Sequence, residues 1–78
     1  MQINPVPWFM RAVQGWATIL GKVDAIAADH GLIPYSLKPT AWRFDGWGIV
    51  WDGAPKLACN VKYFPEDGEM LDLGRVVG

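Results

Sequence analysis

The sequence changes its hydrophobic period once, near residue 40, and this change most limits the folds open to it. Before that point, apolar residues recur at alternating steps of four and three, the spacing of one helical face. These residues are Phe9, Val13, Trp16, Leu20, Val23 and Ala27. After it, apolar and polar residues alternate with the period of a β-strand that buries one face. The pattern predicts one long amphipathic helix packed on one face of an antiparallel sheet, an α+β fold.

The predicted helix runs from about residue 5 to 30. Asn4 is a favourable N-cap, and Pro5 suits the first helical position because its missing N–H would have no intrahelical partner there. His30 and Gly31 predict a last turn followed by a left-handed stop. We therefore expect one long helix that ends at His30, and a bend near Gly21 is left open.

Three Asp-Gly dipeptides, at 45–46, 52–53 and 67–68, divide the second half of the chain. Asp-Gly between alternating apolar runs is a strong hairpin signal. The sequence therefore predicts a three- to four-stranded antiparallel β-meander. The predicted strands are residues 40–44, 47–51, 56–64 and 69–76, after an extended crossover at 32–40.

The strand register is predicted from the loop lengths that place apolar residues on one face. A two-residue turn at 45–46 and five-residue loops at 52–56 and 65–69 meet this condition. They pair Phe44 with Trp47, Trp42 with Ile49, Trp51 with Leu57, Ile49 with Cys59, Trp47 with Val61, Tyr63 with Leu71, and Val61 with Leu73. We expect the helix to cover this aromatic face and to leave the other face open, with Lys62 opposite Asp72 on the open face.

Composition restricts the function. The 78 residues allow one domain, covering residues 1–78, and 51% of them are apolar while only 19% are charged. We expect part of this apolar surface to contact a partner or a second copy. The net charge of -1 argues against direct binding of nucleic acid, which needs a basic face.

The start of the chain lacks the basic and apolar regions of a signal peptide. The longest uncharged apolar-leaning run is about ten residues, whereas a transmembrane helix needs about twenty. We therefore expect no membrane contact and a cytoplasmic location in the host cell.

The chain offers few groups for chemistry, since His30 is its only histidine and Cys59 its only cysteine. His30 could act as a base or a ligand, but a helix C-terminal cation is the simpler interpretation. Cys59 lies on the predicted core face, where a buried, inert thiol is favoured over a nucleophile. A zinc site needs further ligands, and a catalytic set needs a nucleophile, a base and an orienting group. We predict no catalytic residue, no metal, no cofactor and no enzyme activity.

Tryptophan is abundant, with five in the chain. Trp42, Trp47 and Trp51 fall on the predicted aromatic face, so we expect them in the core. Stacking of sugars or unpaired bases is the alternative if the sheet packs the other way round. Trp8, near the helix start, is a candidate interface anchor because tryptophan is enriched at binding hot spots.

Three functions remain: a protein-binding module, a self-assembling phage or bacterial structural subunit, and an aromatic-stacking ligand-binding domain. We favour the first. In size, build and lack of a catalytic set, the chain resembles the accessory inhibitors encoded by bacteriophages and mobile elements, of which the anti-CRISPR proteins are the best-known group. The resemblance implies binding to a host defence complex, such as a CRISPR effector, that blocks nucleic-acid access or nuclease recruitment. A homodimer is left open.

The expected partner contacts lie on the open sheet face, in the acidic turn and at the helix start. They are Arg43, Asn60, Lys62, Phe64, Met70 and Asp72 on the open face, Glu66, Asp67 and Glu69 in the turn, and Trp8 at the helix start.

Overall fold

A computed structural model describes the backbone of residues 8–78 and the side chains of residues 13–78. In chain order, the elements are α1 (Trp8–His30), a short 3-10 turn (Pro39–Ala41), β1 (Trp42–Asp52), β2 (Ala54–Tyr63) and β3 (Leu71–Val77). The strands form one antiparallel sheet in the order β1-β2-β3. The predicted α+β fold is thus confirmed, with three strands. The predicted helix start at Asn4 and Pro5 lies outside the described residues.

The helix buries the face that its apolar spacing predicts. Ile19, Val23 and Ala27, four residues apart, are fully buried. The helix ends at the predicted left-handed residue, since Gly31 has a φ of 67°. Its N–H bonds back into the last turn, and the Leu32 N–H donates to the Ala27 carbonyl at 2.8 Å. This pair of bonds is the Schellman motif, which satisfies carbonyls that the helix end would otherwise leave unpaired.

The core lies between α1 and the central strand β2. Cys59 and Val61 of β2 are fully buried, and Val76 of β3 is 5% exposed. Trp42 closes one end of the core: its ring lies 4.8 Å from that of Tyr63, and its indole N–H donates to a backbone carbonyl at 3.0 Å. These contacts place the hydrophobic core under the C-terminal half of the helix.

The prediction of a turn at Asp45 and Gly46 is wrong. Both residues lie inside β1. Asp45 pairs with Asn60 and Gly48 with Ala58, so two residues of β1 stand opposite one residue of β2. This arrangement is a β-bulge, and Gly46 supplies the left-handed backbone with a φ of 63°. The first two predicted strands are therefore a single strand.

The connection between β1 and β2 is also shorter than predicted. It is a tight turn at Gly53 (φ 71°) rather than a five-residue loop. Ile49 consequently pairs with Leu57 instead of Cys59. The observed β1–β2 register replaces the predicted pairs Phe44–Trp47, Trp42–Ile49, Trp51–Leu57, Ile49–Cys59 and Trp47–Val61. Relative to the prediction, the second half of β1 is shifted by two residues along β2. A shift by an even number of residues leaves each apolar side chain on its predicted face.

The β2–β3 pairing is close to the predicted one. Two predicted pairs are confirmed, Tyr63 with Leu71 and Lys62 with Asp72. Val61, however, pairs with Gly74 instead of Leu73, because a second irregularity adds one residue to β3. Gly74 has a φ of 80°, and its N–H donates to the Asp72 carboxylate at 2.9 Å. A glycine next to an acceptor side chain thus accommodates the extra residue.

Candidate protein-binding surface

Only one of the three tryptophans expected in the core lies there. Trp42 is 6% exposed, whereas Trp47 is 45% and Trp51 76% exposed. The reason is the position of the helix, which packs chiefly against β2 and β3. β1 is an edge strand, and its second half receives little cover from α1. The prediction that Trp47 and Trp51 are core residues is therefore wrong.

The uncovered residues of β1 share the side of the sheet on which the helix lies. Ile49 is paired with Leu57, and Leu57 is so close to the helix that a Cβ added at Gly15 would stand 2.9 Å from its Cβ. Strand alternation puts Trp51 on the same face as Ile49. Trp47 joins them through its contact with a helix tryptophan. We call Trp47, Ile49 and Trp51 the tryptophan shelf.

An aromatic cluster fixes the inner end of the tryptophan shelf. The Trp47 ring lies 5.2 Å from that of Trp16 and 6.4 Å from that of Phe44. Trp16 and Phe44 stand edge to face at 5.0 Å, and Tyr35 from the crossover packs edge to face on Phe44 at 5.3 Å. Edge-to-face and offset pairs are favourable aromatic arrangements. The cluster holds Trp47 in position, so a partner would meet a surface that is already ordered.

The predicted open face carries a small network of charges. The Asp45 carboxylate lies 3.9 Å from Arg43 Nε and 3.7 Å from Lys62 Nζ. Lys62 therefore contacts an acid on β1, although Asp72 is its directly opposite residue on β3. Asn60 lies on the same face between these strands, as its pairing with Asp45 shows. The structure thus brings the predicted polar contacts together on one face.

The two apolar residues predicted on this face lie outside the strands, because β2 ends at Tyr63 and β3 begins at Leu71. Phe64 and Met70 are each 42% exposed, so both are accessible to a partner. The side chain of Trp8, the other predicted apolar contact, lies outside the described side chains. Phe64 and Met70 form a smaller exposed apolar surface than the tryptophan shelf.

The acidic turn is exposed, as its composition suggests, but one of its acids is paired. Glu66 forms an ion pair with Lys38, which ties the crossover to the β2–β3 loop. The hydrogen bond from Lys38, with its positive charge, lowers the pKa of Glu66. Asp67 and Glu69 are exposed beside it. Glu66, one of the acids expected to contact a partner, therefore already forms an ion pair within the chain.

The two side chains with the clearest potential for catalysis or metal binding, His30 and Cys59, occupy the structural positions predicted for them. His30 ends α1, and its Nδ1 lies 2.9 Å from the Ile26 carbonyl. Cys59 is fully buried, as predicted, and burial raises the pKa of its thiol. Within residues 13–78, no three His, Cys, Asp or Glu side chains are grouped so as to hold a metal ion. No helix in the described part of the chain has the length and apolar character needed to cross a membrane.

The shelf tryptophans do not line either of two clefts in the described region. The larger, of about 430 Å³, lies between α1 and the start of β2. The other, of about 390 Å³, lies between α1 and β3. Trp47 and Trp51 thus present an open surface. No protein-family model, curated protein or solved structure was found to match this chain.

Proposed function

We propose that this chain is a small, non-catalytic protein-binding module that docks its partner on the tryptophan shelf. The observation that supports the proposal is the 76% exposure of Trp51 beside Ile49 and Trp47, which are 57% and 45% exposed. Tryptophan is enriched among the residues that carry most of the energy of protein interfaces. Two tryptophans and an isoleucine on one strand form a contiguous apolar surface, of which only Trp47 also packs against the aromatic cluster.

The chemistry of the tryptophan shelf favours a protein over a sugar or a nucleic acid. A buried aromatic side chain removes about 150–250 Å² from water, so covering the exposed part of Trp51 would remove roughly 150 Å². At about 25 cal/mol per Å², this is worth about 4 kcal/mol before the cost of association. A sugar or base would also need polar partners around the ring, and the shelf neighbours of Trp51 are apolar. An apolar anchor from a protein fits better.

The test compares two equally exposed residues in a binding assay. Trp51 and Leu37 are both 76% exposed, so Leu37→Ser is a matched control for Trp51→Ser. The tagged proteins are incubated with bacterial lysate, and captured proteins are quantified by mass spectrometry. We expect a stoichiometric partner whose capture falls at least tenfold with Trp51→Ser and stays unchanged with Leu37→Ser, both variants keeping the wild-type melting temperature.

Two results would contradict this proposal. Equal loss of capture in both variants would show that Trp51 has no special role. Loss with Phe64→Ala and Met70→Ala together, but not with Trp51→Ser, would place the partner at the β2–β3 loop and the open face instead. In that case, the contacts predicted there from the sequence would form the binding surface.

In its narrower form, we propose that the partner is a host defence complex, such as a CRISPR effector. This rests on the small size and simple build of the chain, with one helix on a three-stranded sheet. Purified effector complexes are titrated with the protein while cleavage of target DNA is measured. Inhibition that Trp51→Ser abolishes would support the narrower proposal. Full cleavage at saturating protein would refute it and leave the binding-module proposal intact.

A further inference from the structure

We infer that two copies of this chain associate by pairing β1 with β1, which joins their sheets into one antiparallel six-stranded sheet. β1 is an edge strand of 11 residues, and no strand in the described part of the chain pairs with its outer side. An uncovered edge strand presents unpaired N–H and C=O groups and is a template for another strand. The occupant that fits this edge is a second copy, for the three reasons that follow.

First, the backbone groups of β1 that point outward can be identified. Ala41 directly precedes β1 and Phe64 directly follows β2, and the Trp42–Tyr63 register places them opposite each other. The Phe64 N–H donates to the Ala41 carbonyl at 2.7 Å, so this is a hydrogen-bonded pair. Hydrogen-bonded and non-bonded pairs alternate along an antiparallel ladder. The N–H and C=O of Trp42 and Phe44 therefore face away from β2.

The same reasoning applies beyond the bulge. The Leu57 carbonyl accepts the N–H of Gly78 at 2.7 Å, so the backbone groups of Leu57 face the β3 side. Its partner on β1, Ile49, must then direct its N–H and C=O to the free edge, as must Trp51 two residues later. Both halves of β1 thus offer groups for a new ladder.

Second, one antiparallel register satisfies these directions and the side-chain faces together. It places Phe44 opposite Trp51 of the second copy, and by symmetry Trp51 opposite Phe44. Both residues have outward backbone groups and both lie on the helix side of the sheet. Directly opposite side chains have their Cβ atoms about 5 Å apart, and aromatic pairs at this distance are favourable. Because the two bulge residues Gly46 and Trp47 fill one position of the ladder, the two-fold axis passes through Gly48, which faces Gly48 of the other copy. Each Trp47 then stands opposite Ile49 of the other copy, on the helix side of the sheet.

Third, the charges on the open face are complementary in this register. Arg43 stands opposite Asp52 of the second copy, and the symmetry repeats the pair. Both side chains are accessible, at 69% and 81% exposure. A register shifted by two residues would keep the faces but lose both pairs. Charge complementarity therefore selects the register and makes the surface self-complementary, as a two-fold interface requires.

The interface is small. At about 150–250 Å² per fully buried aromatic, the exposed parts of Trp47 and Trp51 contribute roughly 200 Å² from each copy. The dimer thus covers the tryptophan shelf, so self-association and binding of the proposed partner compete for the same surface. Ile49 and the paired edges add to this, and the total falls at the small end of specific interfaces, below about 1,200 Å². We expect a dissociation constant in the micromolar range, around 10–100 µM.

The test is sedimentation equilibrium of the purified protein from about 1 µM to about 500 µM, a range that brackets this expectation. We expect the mass to rise from 8.7 kDa toward twice that value. A mass of 8.7 kDa at every concentration would overturn the inference. The experiment contains no other protein, so its failure would leave the proposed function standing, and failure of the lysate capture would leave the dimer standing.

Charge reversal tests the register. Arg43→Glu is expected to weaken the dimer about tenfold, because it turns two attractive pairs into repulsive ones. Adding Asp52→Arg should restore wild-type association, since the exchanged charges again face each other. Inside one copy, Arg43→Glu puts an acid beside Asp45, and Asp52→Arg puts a base beside Lys56. Neither contact is relieved by the other substitution, so recovery can come only from the pairing between copies. A dissociation constant that Arg43→Glu leaves unchanged, or that the double exchange does not restore, would overturn the β1–β1 pairing. Melting curves confirm that each variant is folded.

Discussion

Replacing Gly15 by alanine is expected to destabilise the protein, although alanine is the better helix former. Both Gly15 and Gly21 lie within α1, and alanine in a helix interior is favoured over glycine by about 1 kcal/mol. At Gly21 an added Cβ meets nothing within 4 Å. Gly21→Ala should therefore gain this amount in free energy of unfolding, and it serves as the matched control.

At Gly15 the added Cβ would stand 2.9 Å from the Leu57 Cβ. Carbon atoms prefer about 3.5–4.0 Å, so the helix would have to move away from β2 by roughly 0.5–1 Å. The Leu57 Cβ is fixed to the backbone and cannot move aside as the end of a side chain could. Overpacking of this kind costs about 1–3 kcal/mol, which offsets the helix propensity. We expect Gly15→Ala to lie about 1–3 kcal/mol below Gly21→Ala in stability.

Thermal unfolding followed by far-ultraviolet circular dichroism measures the difference. For a domain of this size, 1 kcal/mol corresponds to about 4–8 °C in Tm, so the two variants should differ by at least about 4 °C. Urea unfolding checks that the slope m is unchanged and that the comparison reports stability. Equal stabilisation by both substitutions would refute the close contact between α1 and β2.

Three further outcomes follow from particular residues. Gly53→Ala and Gly46→Ala should each cost about 1 kcal/mol because both glycines have a positive φ, and the Asn60 amide nitrogen near an added Gly46 Cβ is a side-chain end that can move aside; urea titration measures both losses, and a gain in stability from Gly46→Ala would count against the left-handed backbone of the bulge. Cys59 should react with a thiol reagent at least about 100-fold more slowly in the native protein than in urea, since it is buried with a raised pKa; fast native labelling would refute its burial. The pKa of Glu66 is lowered in the fold, so its pair with Lys38 stabilises the protein above about pH 4.3 and is lost as pH falls through the folded pKa; acid titration of Glu66→Gln should show a smaller loss of stability than the wild type, and identical profiles would contradict the pair.

The helix and the last strand pair were predictable because local pattern determines them. The stripe that includes Val23 and Ala27 has the period of a helix, and Gly31 ends it as a left-handed residue. The pairing of Tyr63 with Leu71 followed from one loop length and one apolar face. In each case, residues close in sequence carry the whole pattern.

The bulge was not predictable from the same reasoning. A two-residue turn after Phe44 and a one-residue bulge both bring Trp47 to the face that Phe44 occupies. Gly46 serves either, because both need a positive φ. The apolar pattern therefore fits both structures equally well. What separates them is the long pairing of β1 with β2, which involves residues distant in sequence.

The exposure of the tryptophan shelf was not predictable for a related reason. The alternation of Trp47, Ile49 and Trp51 gives their face of the sheet but not what covers it. The cover depends on where α1 crosses the sheet, and the close approach of Gly15 to Leu57 sets that position over β2. The sequence shows that residue 15 is a glycine, but it does not identify the strand that approaches it.

The bulge in β1 has a consequence for how the chain tolerates changes in length. Before it, β1 pairs with β2 in one register, and after it the register is offset by a single residue, which is the extra residue itself. Deleting Gly46 would remove that residue and join the two registers into one uninterrupted ladder. Each side chain beyond the deletion would keep its face and its partner. At this position the sheet can thus lose a residue more easily than it can exchange one, since only the exchange forces a side chain into a left-handed backbone.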